Sequence, residues 1–281
     1  MEGNMRKKIL IRIVIYFFLI LGALTIVMPL YITLITAFKR TSESIANYLS
    51  LPTAWYLGNF ISIVSKAGYW RALLNTILIT AVVVGGDIVI MPMLGYAVCR
   101  RMDESKAWKN LYFYLLLGIF IPFQVKMIPI VQMMSKLNML NPLGLSILCI
   151  GSSTCEATFL YVGYLRGVPR DLESAAYIDG ASTASAYRDI VFPLMKPIIA
   201  TSVIKDGLWT WNDFTLPLIT LNRSPDNWTL VLYQYNFKTE AGVDYGMVFA
   251  CLCLSMIPIL IFYLCLQKQI ISGLTSGAVK G

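Results

Sequence analysis

Polar residues are scarce along most of this chain and crowd into short intervals, leaving six long apolar stretches at approximately 10–37, 72–98, 108–132, 143–165, 194–220 and 245–267. A bilayer core of about 30 Å needs about 20 such residues in a helix, because each residue rises about 1.5 Å and lipid satisfies no open backbone group. The pattern therefore predicts an all-α polytopic membrane protein with six transmembrane helices. The first stretch follows Arg6, Lys7 and Lys8, as a signal peptide would. Its apolar run far exceeds the roughly 7–15 residues of such a leader, so an uncleaved span is expected.

The interval 166–196 is too long for a simple connection, and a loop of that length in a compact protein is usually functional or disordered. Its pattern is not that of disorder. Asp171, two residues after Pro169, can cap a helix whose apolar positions are Leu172, Ala175, Ala176 and Ile178. Gly180 can end it in left-handed backbone. Ser182 can cap a second short helix carrying Tyr187 and Ile190 and stopping before Pro193. The apolar faces are narrow and rich in Ala, which binds lipid weakly but lets another backbone approach closely. A partner-docking protrusion fits this better than a helix pair lying on the membrane.

Composition agrees with the spans. Apolar residues make up 57% of the chain and charged residues only 14%, against about 25% charged in an ordinary soluble domain, and mean hydropathy is +0.68. There is no His, which removes Ser-His-Asp, Cys-His and haem-His chemistry together. No G-x-x-x-x-G-K-[ST] loop occurs, so the chain is not expected to hydrolyse nucleotide through a P-loop. The six Cys lie in or beside the apolar stretches and read as small buried apolar groups, with no disulfide and no metal site.

The net charge of +8 is topological. Of the 23 Lys and Arg, 14 fall in the N-terminus, the 99–109 loop, the 166–196 loop and the C-terminus; 7 fall in the opposite loops, and Lys126 and Lys205 lie within spans. Excess Lys and Arg mark the cytoplasmic side, so both termini are expected there, with lipid and not nucleic acid as the surrounding partner.

The segment Glu173-Ser-Ala-Ala-Tyr-Ile-Asp-Gly-Ala181, with Tyr187, Ile190, Pro193 and Pro197, resembles the EAA loop of permease subunits of bacterial ABC importers. The residue that is usually glutamate, directly before Ala175-Ala176, is Ser174 here. Further matches are Met28-Pro-Leu, Asn59-Phe60, Asn75, Tyr96-Ala97 before Arg100, Trp211-Asn-Asp-Phe214 with Pro217, and the tail Gly273–Gly281. Together they make the chain similar to the second permease of maltose-type carbohydrate importers (MalG-like), of type I permease fold. The resemblance implies a division into residues 1–69, a permease domain at 70–267 with coupling loop 166–196, and a cytoplasmic tail at 268–281. It also implies a transport role without covalent chemistry. The partners it implies are a homologous second permease forming a heterodimer, two copies of a cytoplasmic ATPase and an extracellular sugar-binding protein. ATP and Mg would be used by the ATPase, and no cofactor would be bound by this chain. Residues implied to couple to the ATPase are Glu173, Ser174, Ala175, Ala176, Asp179, Gly180, Ala181, Tyr187, Ile190 and Pro193. The rival readings are an ABC permease for a non-sugar solute and a secondary transporter; the latter would show two inverted halves, and no such repeat is visible.

Ionisable residues inside the spans are Asp87, Lys126, Glu156, Lys205, Asp206 and Asp213. A central charge costs about 2.5–3.5 kcal/mol on insertion scales, so each should face the bundle interior or a wet cavity. Asp206 and Asp213 are seven residues apart, hence on one helical face, close to Trp209 and Asn212. Rings beside carboxylate and amide groups suit the apolar and hydroxyl faces of a sugar, making Asp206, Trp209, Asn212 and Asp213 a candidate pathway lining. The alternative is that these charges bridge helices and stabilise the assembly.

Overall fold

The computed structural model describes the backbone of residues 2–239 and 242–278, and side chains for 9–237 and 243–264. The helices are α1 (Glu2–Ala37), α2 (Thr41–Ala46), α3 (Gly58–Val64), α4 (Ala67–Arg101), α5 (Lys106–Ile119), α6 (Phe123–Lys136), α7 (Pro142–Leu165), α8 (Asp171–Ile178), α9 (Thr183–Ala186), α10 (Phe192–Leu194), α11 (Lys196–Asn212), α12 (Thr215–Leu221), α13 (Leu230–Tyr235) and α14 (Tyr245–Ala278). A two-residue antiparallel ribbon, β1 (Lys238–Thr239) with β2 (Gly242–Val243), interrupts an otherwise helical chain.

Among the described residues, α1, α4, α7 and α14 are long and apolar enough to cross a membrane. The third apolar stretch is two helices, α5 and α6, bent by 105° at residues 120–122, and together they pass the same test. The fifth is broken too, because α11 ends at Asn212 and α12 begins at Thr215. Hydropathy counts residues and is blind to this break, at which the Asp213 carboxylate accepts the first N–H groups of the next helix. The α14 backbone stays helical to Ala278, through the first residues of the expected tail. The Gly273–Gly281 motif otherwise lies outside the residues whose side chains are described.

Two compact units emerge within the described residues. The first joins the chain through Ala67 with Gln234–Pro258, and the second joins Gly68–Tyr233 with the stretch from Ile259. In the first, Lys39 is fully buried and donates from Nζ to the Asn47 carbonyl at 2.9 Å, while Asn59 donates to the carbonyls of Ala37 and Lys39 at 2.9 and 2.8 Å. Thr41 donates to Asp244 at 2.7 Å, and the same Asp244 oxygen accepts the Met247 N–H at 3.2 Å in the first turn of α14. Loop groups that would otherwise be orphaned are thereby satisfied. The most apolar window of α1 has no buried residue at all, as expected of a helix solvated by lipid or by another chain.

The core of the second unit is built where α4, α5, α7 and α11 meet, around Met91, Val98, Tyr161, Val162, Leu165, Val191 and Met195. Gly95 makes this packing close: a Cβ there would lie 2.3 Å from Cβ of Tyr161, so α4 and α7 touch backbone to side chain. A second apolar cluster gathers Ile79, Val83, Leu145, Cys149, Leu216 and Leu221.

Candidate functional site

The loop at 166–196 folds largely as its sequence predicts. Helix α8 spans Asp171–Ile178 and is ended by Gly180 at φ +84, with the Ala181 N–H returning to the Ala176 carbonyl at 2.9 Å. Ser182 caps α9 by accepting the Ser185 N–H at 3.2 Å. Two details differ from expectation. Asp171 is the first helical residue and makes no capping bond. The second helix does not stop before Pro193 but continues through a π turn at Tyr187–Val191 into α10, which contains Pro193. A proline near a helix start lacks only an N–H that would be unsatisfied anyway, and the π turn supplies that restart.

The loop sorts its residues into two faces. Outward are Ser174, Ala175, Asp179 and Gly180, with the large apolar side chains of Leu172, Tyr177 and Ile178, the last 87% exposed. Inward are Ala176 and Glu173, the latter only 5% exposed. Ala181, Tyr187 and Ile190 are half-buried, and Pro193 is exposed. Glu173 forms an ion pair with Arg100 at 2.7 Å and accepts the Tyr96 hydroxyl at 2.8 Å. Tyr187 packs against Tyr96 with ring centroids 5.1 Å apart and planes tilted by 44°, and burial pushes its phenol above the ordinary range. Beside it, Arg188 grips Asp189 with two bonds of 2.7 and 2.9 Å, holding that exposed carboxyl below the usual range.

The second candidate region is a cavity of about 290 Å³ in the second unit, bounded by α4, α6, α7, α11 and α12. Phe123, Trp209 and Val83 give it apolar walls; Lys126, Glu156, Lys205, Asp206, Ser152, Ser153 and Thr210 give it polar groups. Lys205 lies at the centre of the charges, 2.8 Å from Glu156 and 3.1 Å from Asp206. Asp206, 6% exposed, also accepts from Ser202 at 3.4 Å. Asp87 is fully buried behind this group, and its charged neighbours are Asp206 and Lys205.

Of the four predicted pathway residues, Asp206 and Trp209 line the cavity and Asn212 and Asp213 do not. Asn212 folds back to the Leu208 carbonyl at 2.8 Å, and Asp213 accepts the N–H groups of Thr215 and Leu216 at 2.9 and 3.4 Å. The seven-residue spacing would place Asp206 and Asp213 on one face only if the helix continued, and it ends between them. The sequence reading did not place Lys126, Glu156, Ser152, Ser153 or Thr210 in the pathway. Glu156 and Lys126 were visible as charges within spans, but nothing in their spacing linked α7 and α6 to α11.

Residues 93–275, which include the whole loop and cavity apart from Val83, match the family model described as binding-protein-dependent transport system inner membrane component. The chain belongs to this permease family. It is 42% identical to the multiple sugar-binding transport system permease protein MsmG of Streptococcus mutans, covering 94% of this chain and 96% of that one. It is 32% identical to the probable starch degradation products transport system permease protein AmyC of Thermoanaerobacterium thermosulfurigenes, covering 98% and 100%. Among solved structures, a chain of a bacterial ABC transporter involved in import of the acidic polysaccharide alginate superposes with a TM-score of 0.79 at 21% identity, covering 91% and 95%. That likeness establishes the permease fold, and the family places the chain in a membrane.

Proposed function

We propose that this permease is one transmembrane half of an ATP-driven ABC importer for a sugar or oligosaccharide. The observation that carries the reading is the outward face of α8, where Ile178 is 87% exposed beside the exposed Ala175 and the partly exposed side chains of Leu172 and Tyr177. The sugar class is supported by the full-length relatives named for multiple sugars and starch products. In this reading α8 docks into a cytoplasmic ATPase, which performs the ATP chemistry with Mg and is present in two copies. A homologous second permease completes the pathway, an extracellular binding protein delivers the sugar, and this chain catalyses no covalent step. Both termini lie in the cytoplasm, and the broken pairs α5–α6 and α11–α12 act as the third and fifth of six spans. A break at membrane depth is tolerated where it is buried in protein or lines a wet cavity, and both breaks adjoin the cavity through Phe123 and Leu216.

The cavity is the proposed sugar-contacting wall. Trp209 and Phe123 offer faces for the C–H side of a pyranose, while Asp206, Glu156, Lys126 and the hydroxyls of Ser152 and Ser153 offer acceptors and donors for its hydroxyls. Two lysines against two carboxylates leave its lining close to neutral, which suits an uncharged saccharide. The test is purification of the chain with its co-encoded partners, followed by measurement of ATP hydrolysis with a panel of neutral and acidic oligosaccharides, peptides and ions. Stimulation by neutral saccharides is expected; stimulation by peptides or ions alone would overturn the reading.

A further inference from the structure

We infer that the Arg100–Glu173 pair is the joint that carries a displacement of α8 into α4, and that Glu173 acts on this chain and not on the docked ATPase. The inference rests on α8 being the docking helix. Glu173 sits on the inward side of α8 with 5% exposure, where a partner cannot reach it. Its Oε1 receives two donors of one guanidinium, Nε at 2.8 Å and Nη2 at 2.7 Å, and its Oε2 accepts the Tyr96 hydroxyl at 2.8 Å. The same guanidinium also donates to the carbonyls of Leu165 at 3.2 Å and Val168 at 3.3 Å. One side chain of α4 thus holds the end of α7, the linker after it and the first turn of α8.

Tyr96 and Arg100 are four residues apart and share a face of α4. Tyr96 also carries the ring of Tyr187 from the π turn, so both ends of the loop seat on one helical turn. The other ion pairs there, Arg170 with Asp103 and with Glu104, are solvent-exposed, and exposed pairs hold geometry weakly. A buried pair is different. Separating its members strands charges away from water, so α8 cannot move without either dragging α4 or breaking the pair. From Arg100, α4 runs about 25 Å at about 1.5 Å per residue to Val83, a wall of the cavity. Stability alone does not account for the pair, because well-packed apolar residues often replace such pairs at no loss.

The test uses the complete complex, reconstituted with its partner permease, ATPase and binding protein. The readouts are ATPase retained in pull-downs and uptake of radiolabelled raffinose or maltotriose, whichever the unaltered complex accumulates, per ATP hydrolysed. Glu173→Gln and Arg100→Gln should retain the ATPase yet lower uptake per ATP about tenfold. Arg100→Lys, which keeps charge but lacks the fork, should fall between. Exchange of the two in Arg100→Glu/Glu173→Arg should restore most of the ratio that each single reversal loses. Tyr96→Phe leaves the ion pair intact, so it serves if the pair variants fail to accumulate, and it should lower the ratio two- to threefold. Release of the ATPase by Glu173→Gln at normal chain yield would overturn the joint by making Glu173 a partner contact; an unaltered ratio in Tyr96→Phe or the pair variants would overturn it as well. Ile178→Asp on the outward face separates the premises: it should release the ATPase, and if it does not, the docking role of α8 fails and the joint with it.

Discussion

At the scale of single residues, neighbours in sequence divide into different tasks. Asp206 and Asp213 are both carboxylates of the same apolar stretch, yet one lines a cavity beside Lys205 and the other caps a helix. Asp206→Ala and Trp209→Ala are therefore expected to lower uptake per assembled complex about tenfold while leaving yield near normal. Asp213→Ala should do the reverse. Loss of a cap costs about 1 kcal/mol, which should lower the thermal midpoint and yield with uptake per complex unchanged. Uptake normalised to purified complex separates the outcomes, and equal loss of yield and uptake for Asp206→Ala would return that residue to a packing role. The chemical type of each residue was legible in the sequence. Its task depended on whether the helix continued past Asn212, which only the break reveals.

At the scale of the element, α8 turns adjacent alanines in opposite directions. Ala175 is exposed, whereas Ala176 is buried against its own chain. Overpacking a fitted position costs about 1–3 kcal/mol. Ala176→Leu should accordingly lower the thermal stability of the permease itself, measurable by unfolding of the purified chain in detergent. Ala175→Leu should leave that stability unchanged and weaken ATPase retention about tenfold, because each 1.4 kcal/mol is a factor of ten in association. Gly180→Val meets open space but holds φ +84, where a β-branched residue is strained; it should reorient the α8–α9 turn and reduce both retention and uptake. Pull-downs set against melting temperatures distinguish the three. The existence of α8 and its glycine stop could be read from spacing alone. Which alanine faces outward follows from Glu173 being drawn to Arg100, a contact across 73 positions of sequence.

At the scale of the whole molecule, the proposed six crossings with both ends in the cytoplasm make a definite pattern for reporter fusions. Fusions after residues 103 and 167 should report a cytoplasmic location, and fusions after 138 and 223 an external one. If the fusions at 103 and 138 report the same side α5–α6 does not cross, and if those at 138 and 167 do α7 does not; either outcome overturns the six-span reading. The proposed orientation rests on the Lys and Arg excess in short loops near the span ends, a property of the sequence that does not depend on packing.

The sequence by itself determined that this is a helical membrane chain, where its apolar stretches lie, and that residues 166–196 form a helical protrusion of a known permease family. Those properties are local: hydropathy, turn chemistry and motif spacing act over a few to some tens of residues. Only the tertiary structure decided that the third and fifth stretches are broken helices, that Lys126 and Glu156 join Lys205 and Asp206 at one cavity, and that Glu173 belongs to Arg100. The last two bring together groups far apart in the chain. A buried charge must find its counter-charge wherever the packing of the helices supplies one, and sequence spacing carries no record of that search.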